Sequence, residues 1–273
     1  MPISYATQTG PRSFAAALAL ALAATLSTPA PAGPAAPPRW SPDVAAARDY
    51  LARRGGDVSF AVRTERRMWG HRRLRTVPSA SVLKPMLMVA YLNRRSIRDR
   101  PLRRFDRRLL GPMIRRSDNV TASYVRNVVG SRGLRRLARR VGMRRFTPVV
   151  NPWGNSRVNA ADQARFFLHL DRYVPRRHRR TALRLLRSIV PAQRWGVARV
   201  APRGWDLHFK GGWGSGTGAV DHQVALLRRD RLRVAVAVMT TANGSHAYGK
   251  ETLRGVFRRL LRGLARVHQR SSG

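Results

Sequence analysis

Between Ser81 and Leu92 the chain reads Ser-Val-Leu-Lys-Pro-Met-Leu-Met-Val-Ala-Tyr-Leu. Drawn as a helix, it is apolar on every side: Val82, Leu83, Met86, Leu87, Met88, Val89 and Leu92 leave no face for water. A helix of that kind belongs in the centre of a protein, with other elements wrapped around it. Its single charge, Lys84, sits among those apolar residues, which argues against a stray surface lysine.

The wrapping elements follow from periodicity. Pro42 to Arg54 has helical spacing and is stopped by Gly55-Gly56. Val58 to Val62 and Met68 to His71 read as two short strands with a charged turn between them. From about Leu102 to Arg187 the pattern is helical with short breaks. Leu134, Leu137 and Val141 make one stripe there, and Arg135, Arg136, Arg139 and Arg140 face away from it. Leu207 to Lys210, Val220 to Leu227 and Leu232 to Met239 are strand-like, and Leu253, Val256, Phe257, Leu260, Leu264 and Val267 mark one face of a long helix. Strands at both ends and helices between them predict an α+β fold: an antiparallel sheet built from both chain ends, with flanking helices and an inserted all-helical lobe. One domain is expected over 42–268, with its sheet lobe at about 42–80 and 200–268, its helical lobe at about 81–199, and a tail over 269–273.

Arg12 is the only charge among the first 38 residues, Phe14 to Leu26 is an apolar run, and Ala30-Pro31-Ala32 is a small-x-small exit. This order reads as a secretory signal peptide over 1–32, followed by a Pro/Ala-rich linker over 33–41. The apolar run is shorter than the ~20 residues a membrane span needs. The expected destination is outside the cell, secreted or associated with the wall.

Composition removes several chemistries. The chain has no cysteine, so a disulfide scaffold, a thiolate zinc site and a cysteine nucleophile are excluded. With two glutamates and eleven aspartates against 54 basic residues, chemistry that needs paired carboxylates starts from little. The seven histidines show no metal spacing, and His222 beside Asp221 reads as structural. The net charge of +41 is nearly all arginine, because Lys84, Lys210 and Lys250 are the only lysines. The plain reading is a solvated, arginine-biased surface. The functional one is retention on anionic cell-wall polymers or lipid head groups. Aromatic residues are 7% and no nucleic-acid module is recognisable, so no specific nucleic-acid partner is expected. A monomer is expected.

Three short patterns carry the chemistry: Ser81-Val82-Leu83-Lys84, Ser117-Asp118-Asn119 and Lys210-Gly211-Gly212. Each has an ordinary reading as a helix cap, a second helix cap on Asp118, and a glycine turn ending a strand. The first also has a chemical one. Residues three apart share a helix face, and a neutral lysine amine beside a serine hydroxyl can take its proton. Arginine cannot, because it keeps its charge. The start of the helix adds free N–H groups and partial positive charge next to the attacked carbonyl.

In this order the patterns resemble the S-x-x-K, S-D-N and K-T-G set of the penicillin-recognising serine enzymes. From about Pro42 to Val267 the chain resembles the class A β-lactamase-like catalytic domain. Leu134 to Pro148 resembles its Leu-Gly-x-x-x-Phe-x-Pro passage, and Asn159 to Ala164 resembles its helix opening after the active-site loop. The resemblance implies a site at the junction of the two lobes. It makes Ser81 the nucleophile towards a β-lactam or a D-Ala-D-Ala-type peptide, and Lys84 its base. Ser117 would hand a proton to the leaving nitrogen, while Asn119 would bind the substrate amide and steady Lys84. Lys210 would attract the substrate carboxylate and, as a second ammonium roughly 6 Å away, would keep Lys84 uncharged, with burial pushing the same way. Gly211 and Gly212 would admit the substrate to the strand, and the backbone N–H groups of Ser81 and Trp213 would hold the oxyanion. No metal or organic cofactor is required.

Two departures matter. The family's loop glutamate, which activates the deacylating water, has no counterpart, because no carboxylate occurs between Asp118 and Asp162. Asn151 or Asn155 could position a water but not deprotonate it. Gly211 stands where a threonine is expected, with Ser215 or Thr217 as possible replacements for its hydroxyl. The expectation is an acyl-enzyme that forms readily and hydrolyses slowly. A D,D-carboxypeptidase or penicillin-binding protein is the close alternative, and a non-catalytic polyanion- or wall-binding protein that keeps the fold is the distant one.

Overall fold

The computed structural model describes residues 40–214 and 219–268. The expected signal peptide, most of the linker, Ser215, Thr217 and the tail over 269–273 lie outside the described residues.

Val234 to Met239 alternates valine and alanine before its methionine, and every side chain in it is buried. A strand buried along its whole length is covered on both faces. It is the centre of β7 (Leu232–Thr241), the middle strand of a five-stranded sheet. On one side β7 pairs with β1 (Asp57–Arg63), which in turn pairs with β2 (Met68–His71). On the other side it pairs with β6 (Val220–Arg229), and β5 (Asp206–Gly214) forms the edge. All these pairings are antiparallel, with Phe60 opposite Val238, Ala225 opposite Val236 and Lys210 opposite Val224. The sheet is thus built from both chain ends, as the periodicity predicts.

Helices cover it. α1 (Val44–Ala52) packs on the last helix, α9 (His246–Leu260), which lies on β6 and β7. The apolar segment opens with a 3₁₀ turn at Ala80–Leu83 and continues as α2 (Lys84–Leu92), every residue of which is buried. After the short α3 (Arg95–Arg98), α4 (Arg104–Arg115) and α5 (Asn119–Val141) pack around α2. β3 (Val77–Pro78) and β4 (Arg157–Val158) pair as a two-stranded ribbon that ties the chain before Ser81 to the loop after α5. Then come α6 (Ala160–Leu168), α7 (Leu170–Tyr173) and α8 (Arg179–Arg187), the last against α4 and β5.

Three expectations change in detail. α6 packs across β1, β6 and β7, so part of the segment read as helical lobe covers the sheet. The Lys210-Gly211-Gly212 pattern lies inside the edge strand β5 and does not end it. The final helix stops at Leu260, the chain turns through Gly263 at φ +75°, and a 3₁₀ turn follows, with Leu264 buried. Among the described residues no helix is long and apolar enough to cross a membrane.

Leu87, at the middle of α2, has no exposed surface. Leu87→Ala should cost about 2–5 kcal/mol, read as a lowered denaturant midpoint with an unchanged slope.

Candidate active site

The route to Ser81 begins with a strained residue. Ala80 has φ +42°, a conformation that L side chains rarely take. Its amino side is anchored by Ser79, whose N–H donates to Ser156 O at 2.8 Å and whose hydroxyl donates to Gly154 O at 3.2 Å. The chain then turns straight into the 3₁₀ turn, leaving Ser81 9% exposed at the start of the buried rod. Strain of this kind, on the order of 1–3 kcal/mol, persists where the surroundings over-determine it.

Edge strand β5 presses on that turn. A methyl group added at Gly212 would come within 2.8 Å of both Ser81 N and Val82 N. Only a glycine permits this approach, which sets the strand beside the backbone N–H of Ser81.

The second pattern arrives from the corner between α4 and α5. Asp118 caps α5, accepting from Thr121 N at 2.7 Å and from its hydroxyl at 2.6 Å. Ser117, just before it, has φ +60°, and this turns its carbonyl and its hydroxyl towards the same amine. Lys84 Nζ donates to Ser117 O, to Ser117 Oγ at 3.1 Å and to Asn119 Oδ1 at 2.9 Å. Lys210 Nζ reaches the same hydroxyl at 2.9 Å and also donates to Gly211 O at 2.6 Å. The two amines therefore lie within about 6 Å of each other. Neither has any exposed surface.

Four of the predicted residues thus meet: Lys84, Ser117, Asn119 and Lys210. Ser81 opens the same helix, with Gly212 against its backbone. Among the described residues no hydrogen bond joins Ser81 Oγ to Lys84 Nζ, whose donors are turned to Ser117 and Asn119.

The electrostatics correct one expectation. Burial lowers the Lys84 ammonium to about 7, with the Asp118 carboxylate pulling the other way. Lys210 was expected to be the charge that keeps Lys84 neutral. Instead Lys210 itself lies well below the usual lysine range, first through burial and then through the charge on Lys84. Exclusion of water, more than a second cation, favours the uncharged amine, which keeps two of these three donor hydrogens.

Aromatic rings complete the walls, of which the sequence patterns pick out only Trp213, and that for its backbone N–H. Trp153, held by its indole N–H on Ser123 Oγ at 3.0 Å, places its ring 5.2 Å from Lys84 Nζ. It belongs to the 147–157 loop, the segment without a carboxylate. Asn151 is exposed and Asn155 partly buried, and neither is a hydrogen-bond partner of Lys84. The Trp195 ring lies 3.0 Å from where a Cβ at Gly211 would sit, so the indole occupies the space of the expected threonine side chain. That missing threonine was the one available signal for a bulky neighbour.

Trp213 stacks on His246 at 5.7 Å, Trp195 meets both rings edge-on, and Lys210 Nζ lies 5.8 Å from the Trp213 ring. His246 is bound to Asp221 across 2.5 Å, and Asn243 Nδ2 donates to the other carboxylate oxygen at 3.0 Å. Burial pushes the Asp221 carboxyl up, and these two partners pull it back. His246 therefore flanks the site, whereas His222 is structural. Nε2 of His222 donates to Pro78 O at 2.9 Å, and its Nδ1 accepts from Thr240 N at 3.0 Å. Burial lowers His222 to about 4.

Comparison with known proteins places this geometry. The Beta-lactamase2 family, described as the beta-lactamase enzyme family, matches residues 106–263, more than half of the chain. No curated protein sequence matches it. Among solved structures, the chain resembles a beta-lactamase from Sphaerobacter thermophilus DSM 20745, with 19% identity and a TM-score of 0.70 over 81% of this chain and 97% of that one. A beta-lactamase from Xanthomonas campestris pv. campestris matches at 16% identity and a TM-score of 0.68, over 79% of this chain and 94% of that one. An ancestral class A beta-lactamase matches at 17% and 0.67, over 78% of this chain and 96% of that one. At these identities the likeness is one of fold.

His222 offers a test of the packing behind the site. Unfolded chains bind its proton near pH 6.5, and the folded protein refuses it down to about pH 4. Stability should therefore fall as pH drops through that window, by up to about 3 kcal/mol. Denaturant midpoints across the window should show a flatter dependence in His222→Gln.

Proposed function

The chain belongs to the beta-lactamase enzyme family, and on that premise we propose that it is a serine hydrolase acylated at Ser81 by β-lactams or D-Ala-D-Ala-like peptides, with slow release of the acyl group. The observation that carries this reading is Lys84: sealed from water, titrating near neutrality, and hydrogen-bonded to Ser117 and Asn119 three residues from Ser81.

In the proposed reaction the neutral amine of Lys84 accepts the Ser81 proton as the oxygen attacks the amide carbonyl. Distances between catalytic groups in a free enzyme are often longer than in the complex. The amine moves off one of its three contacts to meet Ser81. The proton passes through Ser117, which touches both amines, to the nitrogen that leaves. Backbone N–H groups of Ser81 and Trp213 stabilise the oxyanion. A substrate carboxylate arriving at Lys210 restores the positive charge that burial removes in the free protein.

Slow release follows from the loop. Where a carboxylate would activate water, this chain places the Trp153 ring near Lys84. A missing general base costs typically 10²–10⁴-fold in the step it serves. This favours a D,D-carboxypeptidase or penicillin-binding protein as the second reading. The reading of residues 1–32 as an export signal would bring such an enzyme to cell-wall peptides.

Incubation with a fluorescent penicillin tests the reading. A covalent label should appear, be absent in Ser81→Ala, and form about 10²–10⁴-fold more slowly in Lys84→Arg. Label that is lost within seconds would overturn slow release, and no label at all would leave a non-catalytic binding protein. The labelling rate should rise with pH through about 7 and level off above it, since only the deprotonated amine acts as base. Gly212→Ala, which drives a methyl against the Ser81 and Val82 backbone, should slow labelling at least about tenfold while the protein still melts cooperatively.

A further inference from the structure

Away from Ser81, three hollows adjoin on the helical lobe. The first, about 840 Å³, is lined by Arg98, Arg140, Arg172, Arg176, Arg177 and Arg179. The second, about 500 Å³, shares Arg177 with it and adds Arg107, Arg180 and Arg184. The third, about 240 Å³, shares Arg107 with the second and adds Arg115 and Arg116. Together they form a basic groove of eleven arginines, with Asp99 as its only lining carboxylate. Asp99 is paired with Arg98, and Glu65 lies 3.8 Å from Arg172. Among the described residues no carboxylate pairs with Arg107, Arg176, Arg180 or Arg184, all of which are exposed. So many unpaired guanidinium groups along one concavity repel one another until an anion enters.

Gly111 supports a continuous passage. It lies inside α4, where glycine costs about 1 kcal/mol against alanine. A Cβ there would meet nothing within 4 Å, so no neighbour requires the glycine. Gly111 lines both the second and third hollows, and its missing side chain keeps the floor low where they join.

We propose that this groove binds a linear phosphodiester polymer that carries no bases. The hollows follow one another through shared lining residues, Arg177 and then Arg107 and Gly111, an arrangement that suits a strand and not a membrane plane. Arginine forks match the paired oxygens of phosphate. No Phe, Tyr or Trp lines any of the three hollows, so bases would find no stacking platform. The groove would hold the protein on an anionic polymer while Ser81 remains free. The inference does not depend on catalysis.

The test is binding to poly(glycerol phosphate), with a dT oligonucleotide of equal phosphate number and phosphatidylglycerol vesicles as comparators. The groove variant Arg107→Gln/Arg176→Gln/Arg180→Gln/Arg184→Gln is set against Arg135→Gln/Arg136→Gln/Arg139→Gln/Arg258→Gln, which removes the same charge from exposed positions elsewhere. The groove variant should bind poly(glycerol phosphate) at least about tenfold more weakly. Its log–log salt slope should be shallower by about 3, at roughly 0.7 per lost phosphate contact. The control should change less than about threefold, as expected of diffuse charge alone. The oligonucleotide should bind no tighter than the polymer. Equal losses in the two variants would overturn the proposal, as would groove-dependent preference for the oligonucleotide or the vesicles. If the quadruple variant melts early, Arg176→Gln/Arg180→Gln gives the same comparison with half the charge removed.

Discussion

Two amines closed off from water, and the half-buried hydroxyl they share, set the terms for the rest of the molecule. Lys84 and Lys210 both end on Ser117 Oγ, and neither side chain reaches solvent. A charged ammonium in such a place is costly, and the pair relieves the cost by giving up protons. The enclosure needs three walls. The all-apolar α2 carries Lys84, the corner between α4 and α5 brings Ser117 and Asn119, and edge strand β5 delivers Lys210. The strained turns at Ala80 and Ser117 sit where these walls meet.

The division between lysine and arginine follows the same logic. Arginine holds its proton at any pH the protein meets, so it can cover the surface without joining in proton transfer. Lysine, whose proton can be removed by burial, appears only three times, and two of those are at the junction. A strongly basic exterior and buried amines that give up their protons readily coexist because they use different side chains.

The sheet and the central helix were legible because their periods are plain. The alternating valines of β7 and the unbroken apolar run of α2 each allow few placements. The three short patterns gave the residues that converge on Ser117, because their chemistry is tied to residue type. What the sequence concealed depends on contacts between distant segments. Nothing near Trp195 or His246 in the chain indicates that they meet Trp213, since 18 to 51 positions separate each from its neighbours in space. The cause of the Lys84 shift is hidden from the sequence for a similar reason. Burial depends on how tightly three separate walls close, and a charge pair was the simpler thing to read. The break after Leu260 leaves no mark in the periodicity, because the apolar face continues to Leu264 across it.

The indole at 195 and the bare backbone at 211 have an evolutionary consequence. They compete for one volume, since the Trp195 ring already stands where a side chain at 211 would begin. A lineage exchanging Gly211 for a hydroxyl-bearing residue would have to shrink or displace Trp195 beforehand. That change would also loosen the ring packing around Trp213 and His246. The order of the two steps is therefore constrained, and each would look harmful without the other.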